Sequence, residues 1–596
     1  YTLEHPLVKL NPYLINPLAA VVLFKTEEEI AVTVTVLGKE PAGNMKHTFP
    51  KAKEHILPIL GLYGGYKNKV EIELYRSEKN TIEIETEPLS DDVPKLIKME
   101  TTAAYLRNDL IIVSPALDSL STGFDYQGEV RWHLNIPSVF DVKRAKNGNL
   151  LVGSHRLLRM PYYMSGIYEI TMTGKVVKEF TIPGGYHHDQ FEMEDGNLLI
   201  LTDDLTSDTV EDKCVLVDRN TGEILKTWDY KNFLDPKKVA PSGSWTEEDW
   251  FHNNAVWYDK NTNSLTFSGR HIDAMCNVDF ETGKLNWIIG DPDQWPEEYQ
   301  KYFFTPVNDG SEFDWQYEQH ANVVLPDGDV MCFDNGHFRS KDPAKRIKNK
   351  DNFSRGVRYH INTDDMTVSQ VYEYGKERGA DWYADWISGV DSLDGTKDHL
   401  FITAGSHLYS EEENRSDFYP SDMFRQGLTK MTHIDQVDEG NLTAELTLSG
   451  DSYSVLTFRA FRMPLYTENT DFDITAKPEV LGSLGETPYE TQEIDLSSAE
   501  ALPEGWTIKL DDLKVSVEGN YQTESKADEP ADGTLVLSND TETRGYALTQ
   551  TSTEGDNGVN VKVSGWVSTD SLDGEEWEIY IQADGKLYNT KYKLAL

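Results

Sequence analysis

The sequence predicts an all-β chain with three parts: an N-terminal β-sandwich domain (residues 1–100), a six-bladed β-propeller (101–478) and a small C-terminal β-rich accessory domain (479–596). Three observations predict it. A turn-and-strand unit recurs six times through the middle of the chain, its strands are apolar on both faces, and the composition changes at either end of that stretch. A chain of 596 residues also exceeds what one hydrophobic core usually supports, so several domains are the starting expectation.

The first hundred residues predict strands over 19–24, 30–36, 69–74 and 81–85, rich in β-branched residues and in places alternating with charge. Pro41, Pro50, Pro58 and the glycines from Gly61 to Gly65 supply the breaks, and the apolar run 57–63 reads as core.

From about Thr102 the repeat begins. One half of the unit is Asn147-Gly148-Asn149-Leu150-Leu151-Val152, which returns as Asp195-Gly196-Asn197-Leu198-Leu199-Ile200 and Asp327-Gly328-Asp329-Val330-Met331, with weaker versions at 261–267 and 394–402. The other half is a glycine turn into a strand that often bears an aromatic, as in Gly128-Glu129-Val130-Arg131-Trp132 and again at 174–180, 222–228 and 283–289; strands 366–374 and 442–448 fill the same role. The spacing lies at or above the about 40 to 50 residues of a four-stranded propeller blade. Blades bury both faces against their neighbours, which accounts for strands rich in Val, Ile, Leu and Trp. After Leu465 the chain turns polar and proline-bearing, and strands near 534–537 and 576–582 predict a third domain of Ig-like spacer type, with Trp506, Trp566 and Trp577 as its core.

Composition narrows the function. Lys plus Arg number 56 against 101 Asp plus Glu, a formal net charge of -45, and such a field repels a phosphate backbone, so nucleic acid is not an expected partner. An anionic substrate would need a local positive site. No run approaches the about 20 consecutive apolar residues of a membrane span, so no transmembrane segment is expected and the chain reads as soluble. Cys214, Cys276 and Cys332 lack disulfide or zinc spacing. The start at Tyr1, without a leader, reads as a processed one.

The chemistry collects at two registers of the repeat. At the start of the innermost strands stand Tyr186-His187-His188-Asp189, Trp250-Phe251-His252-Asn253-Asn254 and Glu318-Gln319-His320-Ala321-Asn322, with Ser138 and Ser388 at the corresponding places of other blades. At the far end of the next strand stand Gly153-Ser154-His155-Arg156, Gly269-Arg270-His271, Asp334-Asn335-Gly336-His337-Phe338-Arg339 and Gly405-Ser406-His407. Seven of the 15 histidines fall at these registers, many for a residue without strand preference. Imidazoles clustered with arginine at the mouth of a channel suit a transition-metal site, with Asp189 and Asp334 as support, or group transfer from an anion.

These residues resemble the bacterial arylsulfate sulfotransferases, which use no nucleotide sulfate donor. The resemblance lies in Trp250-Phe251-His252-Asn253 with Val256-Trp257-Tyr258-Asp259, in Ser268-Gly269-Arg270-His271, in Gln319-His320-Ala321-Asn322, in Phe333-Asp334-Asn335-Gly336 followed by Arg339, and in the N-terminal Asn11-Pro12-Tyr13 with Pro17-Leu18-Ala19. It spans about residues 6–465 and leaves the C-terminal domain outside. The resemblance implies a six-bladed propeller that moves a sulfuryl group from a phenolic sulfate ester to a phenolic acceptor, by ping-pong transfer through a sulfohistidine and without a cofactor. It implies His252 and His320 as substrate-contacting histidines, Arg339 as the sulfate-binding arginine and Asn322 as a nearby polar contact, and a location in the periplasm or outside the cell. His407 is the favoured nucleophile and His399 its competitor, since His399 falls at a turn remote from the channel. Phe338, where the family pattern has glycine, departs from it.

On this expectation Arg339 grips the sulfuryl oxygens with its planar fork, and Arg459 and Arg462 add to it from the closing blade. Asn253, His188, Phe251 and Phe338 complete the substrate-binding set, while Trp250, Tyr186 and Trp315 also lie beside the polar positions and help to exclude water. Tyr186 or Tyr163 is the fallback nucleophile. Two other readings stay open: a non-catalytic propeller that binds protein or glycan, and a sulfatase-like or metal-dependent hydrolase. A homodimer stays open as an assembly.

Overall fold

In the computed structural model, the described residues are 1–485 except 76–77, 92, 117–118, 160–161, 308–311, 397–398, 411–426, 469–473 and 475–476, together with the backbone of strands between Thr507 and Leu594. Between residues 96 and 482 the chain lays down six sheets in sequence order. Each begins with a short inner strand: Thr457–Pro464 in sheet one, Val142–Arg144 in two, Gln190–Glu192 in three, Asn253–Asp259 in four, His320–Val324 in five and Gly389–Ser392 in six. The glycine turns of the repeat fall where expected. Gly148, Gly196 and Gly328 sit at φ +89, +89 and +90 between the inner strand and the next, a conformation that a Cβ would disfavour.

Sheet one closes the series. Its outer three strands (Asp109–Pro115, Thr122–Phe124 and Val130–His133) come from the start of the repeat region, while its inner strand, Thr457–Pro464, comes from the end. Each sheet packs on the next, and the sixth packs on the first. The strand Leu96–Glu100, just before the expected boundary at residue 100, pairs with Asn441–Gly450 and so edges sheet six. Glu479–Gly482, just past the expected boundary at 478, adds a parallel edge to sheet two.

The N-terminal region is built on one long strand, Ala19–Val36, that merges the expected strands 19–24 and 30–36. It pairs with Met45–Leu60 along its whole length, with a register break between Lys25 and Ile30. Leu7–Leu10 flanks its first half, and Lys67–Leu74 with Lys79–Glu85 flanks the second. The run 57–63 is core as expected, and that core continues through Leu110, Ile112, Trp132, Val152 and Tyr168 into sheets one and two. Beyond residue 506 the strands form a three-stranded and a five-stranded sheet. Trp506 and the side chains of Trp566 and Trp577 lie outside the described residues.

Arg131 rivets the N-terminal region to sheet one. Its fully buried guanidinium donates to the Gly61 and Gly43 carbonyls at 2.8 and 3.1 Å, to the Tyr63 hydroxyl at 3.0 Å and to Asp125 at 3.0 Å. It also stacks 3.9 Å from the Tyr63 ring centre. Removing one partner of a buried ion pair costs about 3–5 kcal/mol, because the other charge is left uncompensated. Arg131→Ala is therefore expected to lower the urea midpoint of unfolding by that equivalent, and an unchanged midpoint would contradict the role.

Candidate active site

The inner strands are entered through residues in the left-handed backbone region. Phe140, His188, His252 and Ser388 have φ of +68, +54, +52 and +85 and stand one or two residues before the inner strands of sheets two, three, four and six. For a residue with a Cβ this conformation costs roughly 1–2 kcal/mol, and such strain concentrates where side chains must be aimed at a site. In sheet two the residue matching His188 is Phe140, since Asp141 matches Asp189. The sequence register that pointed to Ser138 is displaced by two residues; Ser138 instead bridges to Ser119.

The aimed histidines meet. The His188 and His252 rings are 5.0 Å apart edge to face, and His252 stacks on His271 at 4.4 Å. Phe140 stacks on His188 at 4.4 Å. His320 lies close enough for its charge to act on His188, and Arg270 close enough to act on His320. Each of four histidines is held through Nδ1: His188 by His187 Nδ1 at 3.0 Å, His252 by Asp249 at 2.6 Å, His320 by the Asn335 side-chain oxygen at 2.8 Å and His407 by the Tyr383 carbonyl at 3.0 Å. Among the described residues, Nε2 of all four has no hydrogen-bond partner, which leaves that nitrogen for a ligand.

His407 joins this group through the segment 383–387. Asn335, which holds His320, also donates to the Ala384 and Ile387 carbonyls at 2.8 and 2.9 Å, while His407 is bound to Tyr383 next door. His399 stands at the other end of the same strand, His399–Tyr409, about 25 Å away at the usual strand rise, half-exposed and paired with Asp438 at 2.9 Å.

Two charge states are built into the group. His252 is pushed up to about 10: burial opposes its charge, but Asp249 and Glu211 outweigh burial. Glu211 Oε2 is 3.0 Å from His252 Nδ1, and its other oxygen accepts from the Tyr162 and Tyr163 hydroxyls at 2.7 and 3.0 Å. Glu211 is held well below the usual carboxylate range, burial notwithstanding, by His252 and His188. Burial moves His188 and His320 well down and lowers His407 as well, so all three favour the neutral form.

The remaining expected site residues divide. Asn322 donates to the Thr266 carbonyl at 3.0 Å and keeps a buried Oδ1 without a partner. Asn253 donates to the Tyr230 hydroxyl, and Phe251 packs against Trp250 and Tyr230. Tyr186 donates to Gln190 at 2.8 Å, and Trp315 packs with Phe313 and Tyr359. Phe338 lies 3.8 Å from the His337 ring and under the Arg346 guanidinium. Arg462 is directed elsewhere, to Asp109, Gln436 and the Leu106 carbonyl. Arg339 is also committed to protein: Nη1 donates to Asp334 at 3.0 Å, Nε to Asn352 at 3.1 Å and Nη2 to the Phe353 carbonyl at 2.9 Å.

Two donor sets have the composition for a divalent transition ion, His187 with His188 and Glu211, and Asp249 with His252 and His271. Glu211 and Asp249 went unread in the sequence, and Arg270 was read only as part of the polar register at the channel mouth. Glu211 and Asp249 lie in acidic loops without a motif; Arg270 stood inside a quoted motif, but nothing local says where its side chain points.

The Arylsulfotransferase (ASST) family matches residues 95–455, and the Arylsulfotransferase Ig-like domain matches residues 7–88. Arylsulfate sulfotransferase AssT of Escherichia coli O6:H1 (strain CFT073) is 24% identical over 527 residues, covering 67% of this chain and 85% of the relative. The protein of the same name from Lelliottia amnigena is 23% identical over 516 residues, covering 67% and 84%. Among solved structures, Kuenenia stuttgartiensis hydrazine synthase matches with a TM-score of 0.28 and 12% identity over 51% of this chain and 64% of that one, too distant to bear on the fold.

The raised His252 value has a stability consequence. A histidine whose folded value lies above its unfolded value of about 6.5 contributes stability that is fully present below that pH and is lost as pH rises through the folded value, about 10 here. Glu211→Gln removes one of the two supporting carboxylates, so thermal stability should fall less steeply over this window than in the wild type. Parallel curves for the two proteins would show that Glu211 does not hold the imidazolium.

Proposed function

The chain belongs to the arylsulfotransferase family, and on that premise we propose that it moves a sulfuryl group from an aryl sulfate to a phenolic acceptor by ping-pong transfer through a sulfohistidine at His407. The six closed sheets are read as the blades of a propeller whose inner strands carry the site. A location outside the cytoplasm follows from likeness to bacterial relatives, and no helix among the described residues is long and apolar enough to cross a membrane.

The observation that bears the reading is the division of charge among histidines fixed in the same way. His407 is anchored at Nδ1 and favours the neutral form, which leaves a lone pair on Nε2 for attack on sulfur. His252, anchored at Nδ1 by carboxylates, holds a proton on Nε2 at neutral pH. Its value of about 10 is close to that of an ordinary phenol, about 10, so a proton can pass between His252 and a departing phenolate at little cost. Groups whose environments push them apart in this way divide the acid and base roles.

In the first step the N–S bond to His407 forms as the aryl S–O bond breaks, and the leaving phenolate takes the proton of His252. In the second, the acceptor oxygen attacks sulfur, the N–S bond breaks, and the acceptor's proton returns to His252. His320, kept neutral and fixed by Asn335, orients the sulfuryl group.

His407→Ala should abolish transfer from 4-nitrophenyl sulfate to phenol while leaving the far-ultraviolet spectrum intact, and the wild type incubated with donor alone should carry a sulfuryl-mass adduct on the peptide containing His407. Full activity of the variant, or an adduct on Tyr163 or Tyr186, would overturn the assignment. Release of nitrophenol that does not depend on phenol would indicate a hydrolase instead.

The His187–His188–Glu211 set gives the metal reading a concrete site. Prolonged treatment with a strong chelator is expected to leave the transfer rate unchanged. Loss of activity restored by zinc would favour a metal-dependent reaction.

A further inference from the structure

His188 and His252 are turned toward one carboxylate oxygen. Glu211 Oε2 lies 3.0 Å from His252 Nδ1 and 3.6 Å from His188 Nδ1, and the two rings meet edge to face with centres 5.0 Å apart. Both residues take left-handed backbone at the entries of neighbouring inner strands. The two nitrogens of an imidazole point roughly opposite ways, so rings that share a partner at Nδ1 carry both Nε2 atoms away from it. With the rings this close, two hydrogen bonds of about 2.8 Å each, made by adjacent oxygens of one small ligand, reach from one Nε2 to the other.

The two Nε2 atoms differ in kind. His252, held at Nδ1 by carboxylates, carries a proton on Nε2. At His188 the reverse follows from its neighbour. His187 Nε2 is 3.3 Å from the Thr202 carbonyl oxygen, which can only accept, so this nitrogen bears the His187 proton. Burial lowers His187 and favours its neutral form, which leaves a lone pair on its Nδ1. The contact of 3.0 Å between the two Nδ1 atoms then takes its proton from His188, and that proton also faces Glu211. His188, neutral through burial and protonated at Nδ1, has a lone pair on Nε2.

The other imidazole against His252 offers nothing comparable. His271, stacked on His252 at 4.4 Å, spends both nitrogens: Nδ1 donates to the Asp249 carbonyl at 2.6 Å and Nε2 accepts from Arg270 Nη1 at 3.1 Å. A phenolic oxygen has one hydrogen, and in the reaction proposed above that hydrogen is exchanged with His252. A simple phenol therefore leaves the lone pair of His188 without a donor, and a buried polar group left unpaired costs the complex affinity. The rings of Phe140, Phe458 and Tyr162 pack around His188 at 4.4, 5.7 and 5.6 Å, so its partner has to be carried in by a ligand that is itself largely apolar. A hydroxyl on the ring carbon next to the reacting oxygen meets that need.

We propose that His252 and His188 form a donor–acceptor pair that selects catechols, with one ring oxygen at His252 Nε2 and the adjacent hydroxyl donating to His188 Nε2. The pair itself is read from the hydrogen bonds behind the two rings, and its use in transfer rests on the sulfotransferase reading. The test compares catechol with 2-methylphenol, in which a methyl of similar size replaces the second hydroxyl. Both are offered as acceptors from 4-nitrophenyl sulfate and as ligands in calorimetry, to the full chain as wild type, His188→Phe and His188→Gln. Sheet two already carries Phe140 at the matching place in left-handed backbone, so phenylalanine is compatible with the fold there.

In the wild type catechol should exceed 2-methylphenol by about tenfold or more in kcat/KM and in affinity, the effect of one buried hydrogen bond. His188→Phe should bring the two within about threefold of each other, and His188→Gln, which keeps an acceptor oxygen, should restore part of the preference. A merely structural role would weaken both phenols together and leave their ratio unchanged. A wild type that treats the two alike overturns the proposal whatever the variants do, as does a folded His188→Phe that keeps the preference; transfer to both phenols would then leave the sulfotransferase reading standing. Selective binding of catechol that is lost in His188→Phe, without transfer to any phenol, would support the pair and overturn that reading.

Discussion

Arg459 projects from the inner strand of sheet one, donates to the Asp141 carboxylate at 2.6 Å and the Asn254 carbonyl at 2.9 Å, and lies 3.3 Å from Asp189. One side chain thus ties the strand that closes the ring to the entries of sheets two, three and four. Lys143 bridges the same two aspartates, and the second Asp189 oxygen accepts the Val256 N–H at 2.9 Å. Burying such charges costs several kcal/mol per ion, returned only when geometry and hydrogen bonding are good. Two carboxylates share two cations here: burial raises Asp141 above the usual carboxylate range, whereas Lys143 and Arg459 outweigh burial at Asp189 and hold it below that range. Because Asp141 follows Phe140 and Asp189 follows His188, the network that closes the ring also fixes the residues that enter the site.

The site then differs from an ordinary buried polar cluster in how its histidines are supported. All four are oriented from behind through Nδ1, but by different chemistry: a carboxylate pair for His252, a side-chain amide oxygen for His320, a backbone carbonyl for His407 and a neighbouring imidazole for His188. The support sets the charge. Carboxylates keep His252 protonated in a place where burial alone would strip it, while a carbonyl or amide oxygen orients its histidine without holding it charged. One residue type can therefore be held in two different protonation states, which is what the proposed reaction would ask of its histidines.

Much of this was legible in the sequence, for physical reasons that also mark where legibility ends. The glycine turns and doubly apolar strands are local signals of sheets buried on both faces, so the six repeats could be read directly, and the histidines at strand starts could be read from their register against those turns. The strands 19–24 and 30–36 could not be joined from sequence, because the charged stretch Glu27-Glu28-Glu29 looks like a turn and in fact lies at the register break of one long strand. Phe140 was missed as the partner of His188 because the repeat there has the same backbone and a different side chain. Glu211 and Arg270 act through contacts 41 and 48 residues distant in sequence, respectively, at His252 and Glu318. No spacing rule reaches that far.

The charge of -45 makes the site a problem of its own, since an aryl sulfate must approach a protein of its own sign. Screening over a Debye length of about 8–10 Å confines much of that field to the surface. Inside, the cations do not create a large positive well, because Arg270 faces Glu318 and His252 faces Asp249 and Glu211. These five groups sum to one negative charge, so on the proposed reading a hold on an anion would have to come from oriented N–H and O–H donors. Such a pocket suits a monoanion with dispersed charge, such as a sulfate ester. A dianionic phosphate ester would bring a second charge near the buried Glu211 and Glu318 and the part-buried Asp249 without gaining a cation to balance it. On the proposed reading, the same carboxylates that set the protonation of His252 would also act in selection of the donor.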